Sequence, residues 1–550
     1  MPDAIESAHT NLPSLIEAMT HAAFYPDPTS TVELKQTHIS YVFLAGDYAY
    51  KVKKPAQFAF LNCASLAERY RLCVEEVRLN RRLSPEVYLG VFPILQEGGR
   101  FALGDEARAF DMRAREYAVK MRRLPEDRML DRLVGAKSVG TDAIRMLARR
   151  LAAFHRDCST VRSWTYGSAA AIWQMVIGDL KEDEQFVGYT IAEPQLRALE
   201  EHYRAFTMAH WELLNDRARD KRVRECHGDL RCDSVCMTDG LAVFDCLEFS
   251  ERLRYCDVAS EVAFCAMDLD RLGARALADE LVTAYAEASN DDAVALLVPF
   301  YKSYRATVRG KVESLRSLEQ EVPIAQREHA TETARACFAL ALHYAQVAKP
   351  ALLVTCGLSG AGKSTVARLL QLRTGFEIVN SDRVRKRLAG IHETVHVREG
   401  YRGGIYSSDF TKLTYQTLLA EADARLAEGR GVIVDATFRA SADRRRLIDM
   451  AARHGTPVLF LECRAPADEV FRRLREREQK SGEVSDATRE IYLRQAGEFE
   501  PMTELPERSY LAVDTTEDQT AIASRIEEAV LRLLPGTIES SSRQTDVPKR

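Results

Sequence analysis

The hydrophobic positions of this chain change period along its length, and each change marks an element. Residues 12–24 carry apolar side chains at helical spacing and stop at Tyr25-Pro26-Asp27-Pro28, which cannot continue a helix. Over 40–55 apolar and polar residues alternate, break at Ala45-Gly46-Asp47 and alternate again, which predicts a β-hairpin. An Arg- and Glu-rich helical pattern follows over 66–83, then β-like runs at 91–96 and 115–125. Helical spacing dominates 142–220, most clearly at 147–157. Residues 223–249 read as strand, loop, strand, turn, strand, and helices then run to about Val347. No repeat of solenoid length is present.

At Pro350 the pattern switches. Short apolar runs at 351–356, 376–380, 431–435, 457–462 and 509–513 alternate with helical segments, the order expected of a parallel sheet covered by helices. The closing stretch, 536–550, is polar and is expected to be disordered.

Composition narrows the class. At about 150 residues per domain, a 550-residue chain suggests three or four units. It is 46% hydrophobic and 29% charged, with no apolar run of membrane length, so no membrane partner is expected. The first residues lack a basic segment followed by an apolar one, so no signal peptide is read and the expected compartment is the cytoplasm. The twelve cysteines, without CxxC pairs, read as free buried thiols; Cys226, Cys232, Cys236 and Cys246 fit no usual zinc spacing. A net charge of −5 gives no global field for nucleic acid, so any polyanion site is local. Lys302, Arg305, Arg309, Lys311 and Arg316 form one basic helical pattern, read first as a solvated face and alternatively as a phosphate or RNA contact. Oligomeric state leaves no mark in the sequence.

The densest chemistry lies at Gly357-Leu358-Ser359-Gly360-Ala361-Gly362-Lys363-Ser364-Thr365, after a strand and opening a helix. Glycines let backbone amides surround phosphate oxygens, Lys363 reaches the outer phosphates, Ser364 holds Mg²⁺, and the helix start attracts the anion. The expected ligands are therefore ATP and Mg²⁺. After the second strand of this half, Asp382 is placed to take a proton from an acceptor hydroxyl and Arg385 to hold an anionic substrate group; a capping Asp beside surface arginines is the plainer alternative. Asp435 ends a buried strand, where it would reach Mg²⁺ through water. Residues 470–487 are an Arg-rich helix and a Gly/Ser loop, a lid pattern in which Arg473 and Arg477 share a face and are expected to neutralise charge on the transferring phosphoryl group, while Arg472 and Arg475 can stay solvated.

The pieces GLSGAGKST, NSDRVR, VIVDATF and the lid arginines resemble the small P-loop kinases of the polynucleotide-kinase and zeta-toxin-like group, often labelled AAA_33. The resemblance implies Asp382 as base, Arg385 as substrate arginine and Arg477 as catalytic lid arginine. Further back, His227-Gly228-Asp229-Leu230-Arg231-Cys232-Asp233-Ser234 resembles the catalytic loop of aminoglycoside-phosphotransferase-like kinases. It implies Asp229 as base, Asp245 as metal ligand, and Lys51 with Glu76 as the ion pair on the ATP phosphates, Lys53 and Glu75 being the alternatives one step away. His155 is expected only to pack. Two departures stand out: Ser234 replaces the metal-binding Asn and is expected to hold Mg²⁺ beside Asp245 as a weaker ligand, and Arg231 replaces the second His. No GxGxxG run covers the phosphates; the first hairpin offers only Gly46.

The chain as a whole resembles a bacterial fusion family of these two modules. The implied fold is α/β and α+β: a two-lobed, protein-kinase-like half and a P-loop kinase half with a parallel sheet. The implied layout is a helical extension (1–34), a kinase-like domain (35–315), a helical connector (316–350), a P-loop kinase domain (351–535) and a tail (536–550). The leading expectation is an ATP-dependent kinase acting on a hydroxyl, of a nucleic-acid end or a small molecule. The alternatives are a nucleotide-operated binding protein with an amino-terminal pseudokinase, and an aminoglycoside-type antibiotic phosphotransferase.

Overall fold

The computed structural model describes residues 12–534 apart from 38, 56, 59–60, 239, 321, 393–394, 396–403 and 479–487, with the backbone alone at 57–58, 61–62 and 477–478. The expected tail at 536–550 lies outside the described residues. Two compact units form: one takes in the chain up to Ile172 with Glu212–Asn290, the other Trp173–Trp211 with the chain from Asp291 onward. The expected boundaries at 315 and 350 both fall inside the second unit.

In the first unit, antiparallel strands lie in the order Val32–Gln36, Ser40–Ala45, Tyr48–Lys53, Glu116–Arg122, Tyr88–Glu97, Arg100–Leu103. The predicted hairpin pairs Ala45 with Tyr48 around Gly46 at φ +58°. Alternation then sorts the faces. Phe43, Tyr50 and Val52 pack under helix Leu12–Met19, while Ala49, Tyr117 and Val119 pack against Cys73 and Val77 of helix Leu66–Asn80. Lys51 and Lys53 share the face of Ala49 and so meet that second helix. The outer strands, Val32–Gln36 and Arg100–Leu103, gave no clear signal because their side chains are half-buried or exposed. Helices Thr141–Asp157, Val258–Arg271 and Arg275–Ser289 form the second lobe, which makes this the two-lobed kinase-like fold that was expected.

The second unit is built on a parallel sheet in the order Glu377–Asn380, Val432–Asp435, Leu352–Cys356, Val458–Arg464, Tyr510–Asp514. These are the five expected strands, and separate apolar clusters cover the two faces of the sheet. The register sets Thr355 opposite Asp435 and Asp435 opposite Asn380, one row at the carboxyl edge.

Helices Ala293–Leu318 and Ile324–Val347 join this unit through their packing. They run together at Gly310, where a Cβ would meet the Phe338 ring at 2.8 Å. Glu527 receives both His343, at 2.5 Å, and Arg373, at 3.3 Å, which ties the helix pair to the sheet's own helices. Of the basic pattern on the first of these helices only the Arg316 side chain stays substantially open to solvent. Lys302 and Arg305 are buried, Arg309 pairs with Glu313, and Lys311 pairs with Asp179 at 2.5 Å and Glu182 at 2.8 Å.

Candidate functional site

Strand Leu352–Cys356 is buried throughout and delivers the chain to Gly357 at φ +124°, where a Cβ would lie 2.4 Å from the Cys463 carbonyl oxygen. Gly360 and Gly362 also take positive φ, so only glycine keeps this loop unstrained. Helix Lys363–Thr374 begins directly after Gly362, and its first-turn amides lack helical acceptors. Lys363 Nζ donates to the Leu358 carbonyl at 3.0 Å across the loop. Ser364 Oγ donates to Asp435 Oδ2 at 2.9 Å.

Asp435 is 2% exposed and collects further donors from its row. Thr355 Oγ1 gives one to Oδ1 at 2.8 Å and Asn380 Nδ2 one to Oδ2 at 2.7 Å. Buried carboxylates need such donors, and these hold the carboxylate beside the Ser364 hydroxyl, an arrangement suited to a hard divalent cation.

Asn380 also caps the helix that follows it. Its Oδ1 accepts from the amides of Asp382 and Arg383, both at 3.0 Å, so Asn380 caps helix Ser381–Leu388. The plainer reading of Asp382 as the cap is corrected. One turn later Arg385 is 6% exposed, donates to the Ile405 carbonyl at 2.8 Å and to Thr411 at 3.2 Å, and lies 4.8 Å over the Tyr406 ring. Its Nε is buried with no hydrogen-bond partner among the described residues.

The lid arginines separate. Arg472 pairs with Glu469 and Glu476, and Arg475 donates to the Phe471 carbonyl, as solvated side chains do. Arg473 is drawn elsewhere. Its three nitrogens serve Glu469 at 2.7 Å and the hydroxyl and carbonyl of Thr515 at 2.8 and 2.7 Å. Thr515 in turn donates to the loop carbonyl of Ala361 at 3.0 Å, so Arg473 supports the phosphate loop from behind. The side chain of Arg477 lies outside the described residues. Sequence reading missed Gln495, whose Oε1 accepts from the Ser359 amide at 2.9 Å; a lone Gln on a helix gives no signal.

The first unit holds a second constellation. Lys51 Nζ is 2.7 Å from Asp245 and 2.9 Å from Glu76, and Lys53 is 2.6 Å from Glu76 and 2.5 Å from Glu248. Glu76 thus serves both lysines, and Glu75 is turned toward Arg78 and Arg254. Burial pulls the Lys51 ammonium down, but Asp245, Glu76 and Glu248 outweigh it and hold it well above its ordinary value. Lys51 in turn holds the Asp245 carboxyl at about 2, and Asp245 sits at φ +65°.

The catalytic-loop segment is restrained. Arg231 contacts Asp229 at 3.3 Å and Asp233 at 2.6 Å. Ser234 Oγ donates to the Arg231 carbonyl at 2.8 Å and accepts from its amide at 3.0 Å, so the residue expected to hold metal is engaged with its own loop. Below it, Glu261 accepts from the His227 and Gly228 amides, both at 2.7 Å. Burial works against that carboxylate, but His155 at 3.3 Å, His227 and the Gly228 amide hold it at about 2. His155 also bonds the Tyr285 hydroxyl at 2.7 Å. It links two helices to the loop, which corrects the expectation that it only packs.

The AAA_33 family, an AAA domain, matches residues 352–502. An uncharacterized protein of Mycobacterium tuberculosis, Rv2004c, is 32% identical over 462 residues, which cover 84% of this chain and 88% of that protein. Among solved structures, a sugar kinase from a Janibacter species is 21% identical, covers 34% of this chain and 96% of its own, and has a TM-score of 0.26. A choline/ethanolamine kinase family protein from Mesorhizobium loti is 15% identical over 60% of this chain and 98% of its own, with a TM-score of 0.35.

Proposed function

We propose a function for a chain that belongs to the same family as the Mycobacterium tuberculosis protein: an ATP-dependent phosphotransferase that moves a γ-phosphoryl group to a hydroxyl at its carboxy-terminal site. One observation carries the reading. Asp382, relieved of capping by Asn380, stands at the carboxyl edge of the sheet one turn before the buried guanidinium of Arg385. A protein that only held nucleotide would have no use for that pair.

The residues fit the expected ligands. Positive-φ glycines and first-turn amides form a cradle for phosphates, and the Ser364 hydroxyl beside Asp435 suits Mg²⁺. Bound there, Mg²⁺ neutralises phosphate charge. Lys363 leaves the Leu358 carbonyl to meet the outer phosphates. Asp382 takes the acceptor's hydroxyl proton as the oxygen–phosphorus bond forms and the bond to ADP breaks. Arg385 orients an anionic part of the acceptor, and Arg477 is the residue assigned to neutralise the charge of the transferring group. The acceptor is a nucleic-acid end or a small molecule, and the compartment is the cytoplasm.

A second reading concerns the amino-terminal unit and rests on Arg231. Arg231 occupies the Asp229 carboxylate that a substrate hydroxyl would have to reach, so this unit acts as a nucleotide-binding regulator through Lys51, Glu76 and Asp245 rather than as a second kinase.

The test uses γ-labelled ATP, Mg²⁺ and three acceptors: a 5′-hydroxyl oligonucleotide, a metabolite extract and an aminoglycoside. Label should reach an acceptor with wild type and Asp229→Ala and be lost with Lys363→Ala and Asp382→Asn. Loss with Asp229→Ala alone would move the chemistry to the amino-terminal unit. Undiminished transfer by Asp382→Asn would reject the assigned base.

A further inference from the structure

Helix Arg489–Glu498 lies against the phosphate loop of the second unit and is tied down at both ends. Thr488 caps its first turn, its hydroxyl accepting from the Ile491 amide at 3.4 Å. Past its last turn the Glu500 amide donates to the Arg439 carbonyl at 3.0 Å, and the buried Arg444 guanidinium reaches the Pro501 carbonyl at 3.1 Å. Between these ties Tyr492 packs with Val470 and Leu474, and Leu358 of the loop packs against the same cluster. The approach is close: a Cβ on Gly360 would lie 2.7 Å from the Val470 side chain.

Gln495 stands about one turn after Tyr492, on the face of the helix that meets the loop. Its Oε1 accepts from the Ser359 amide at 2.9 Å. A backbone amide can only donate, so this bond fixes which way the carboxamide points: oxygen toward Ser359, Nε2 away from that amide. Nε2 keeps both its protons unspent, with no partner among the described residues. Ser359 follows Leu358, whose carbonyl accepts from the Lys363 ammonium at 3.0 Å. Lys363 is the residue that meets the outer phosphates, so Gln495 is anchored at the outer-phosphate end of the loop.

We infer that Gln495 is a specificity-determining residue of this site: anchored through its oxygen, it donates from Nε2 to the terminal phosphate of ATP and so distinguishes ATP from ADP. The inference rests on the reading of the carboxy-terminal site as an ATP-dependent phosphotransferase. The carboxamide suits this role on two counts. A bond to an ionised phosphate oxygen is stronger than one between neutral groups. The anchor at Ser359 has also removed rotamer freedom that a loose side chain would lose on binding. ADP, which lacks the terminal phosphate, leaves the donor to water.

The experiment titrates the full-length protein, in Mg²⁺, with ADP and with AMP-PNP, an ATP analogue that is not hydrolysed, by calorimetry. Binding at this site is the part of each isotherm that Lys363→Ala removes. Gln495→Ala should weaken AMP-PNP by about tenfold or more, the worth of a hydrogen bond to a charged group, and ADP by less than about twofold. Gln495→Glu keeps an acceptor for the Ser359 amide but turns an anionic oxygen on the phosphate. It should weaken AMP-PNP further than Gln495→Ala does, and ADP far less. Equal weakening of both nucleotides in Gln495→Ala, or AMP-PNP affinity retained in Gln495→Glu, would mean that the side chain only braces the loop. Either result overturns the inference and leaves the phosphotransferase reading standing. Isotherms of Lys363→Ala identical to those of wild type would overturn both.

Discussion

Asn380 Nδ2 donates to Asp435 Oδ2 over 2.7 Å, while the Oδ1 of the same side chain caps the helix that carries Asp382 and Arg385. One amide therefore couples the cation side of the carboxy-terminal site to the acceptor side. Asn380→Ala removes a cap and leaves Asp435 short of a donor. The expected cost is about 1–2 kcal/mol, read as a lower denaturation midpoint. Transfer should also require more Mg²⁺, which a Mg²⁺ titration of the rate would report. Asn380→Asp keeps the cap but places a second carboxylate against Asp435, so it should restore less of the Mg²⁺ response than of the stability.

Arg473 reads as a positioning residue because Thr515 and Glu469 use its three nitrogens. Arg473→Lys cannot reproduce the fork. It should lower stability by roughly 1 kcal/mol and raise the KM for ATP more than it lowers kcat. A fall in kcat with KM unchanged would instead place Arg473 at the transferring group.

The contact of Arg231 with Asp229 makes the amino-terminal unit testable by itself. In a Lys363→Ala background, Arg231→Ala frees the aspartate, and slow ATP hydrolysis by this unit should rise several-fold, ~1 kcal/mol in barrier terms. No rise, with nucleotide binding intact, would mean that the pair is not what holds the unit back.

Asp183 is 0% exposed, and neither carboxyl oxygen has a hydrogen-bond partner among the described residues. Burial pushes it up to about 8; Lys311 opposes the shift, and Asp179 and Glu182 add to it. Unfolded, it titrates near its ordinary value of 3.8, so between about 4 and 8 the folded chain holds a proton that the unfolded chain has lost. Stability from this group is complete below pH 4 and falls as pH rises to 8, by at most about 1.4 kcal/mol per pH unit. Asp183→Asn should flatten that slope in denaturant titrations and be more stable than wild type at pH 8.

The residues alone specified much of this protein. The phosphate loop was legible because only glycine tolerates its backbone, and the parallel strands because burial on both faces demands unbroken apolar runs. The hairpin of Lys51 and Lys53 was legible because alternation reports which side chains share a face. Periodicity could not say which core a helix joins. The resemblance places most of helix Ala293–Leu318 in the kinase-like domain and Ile324–Val347 in a connector, whereas packing at Gly310 and pairing at Glu527 join both to the second unit. Nor could a list of charges say which are spent. Lys302 and Lys311 looked like a basic face, Arg473 like a free lid arginine and His155 like inert packing, until partners distant in the chain were brought to each. Glu76 meeting two lysines, Asn380 relieving Asp382 and Gln495 reaching Ser359 depend on contacts between separate segments. Local pattern fixes backbone geometry and burial periodicity; the partner of a charge or an amide is a non-local property, and only the folded chain sets it.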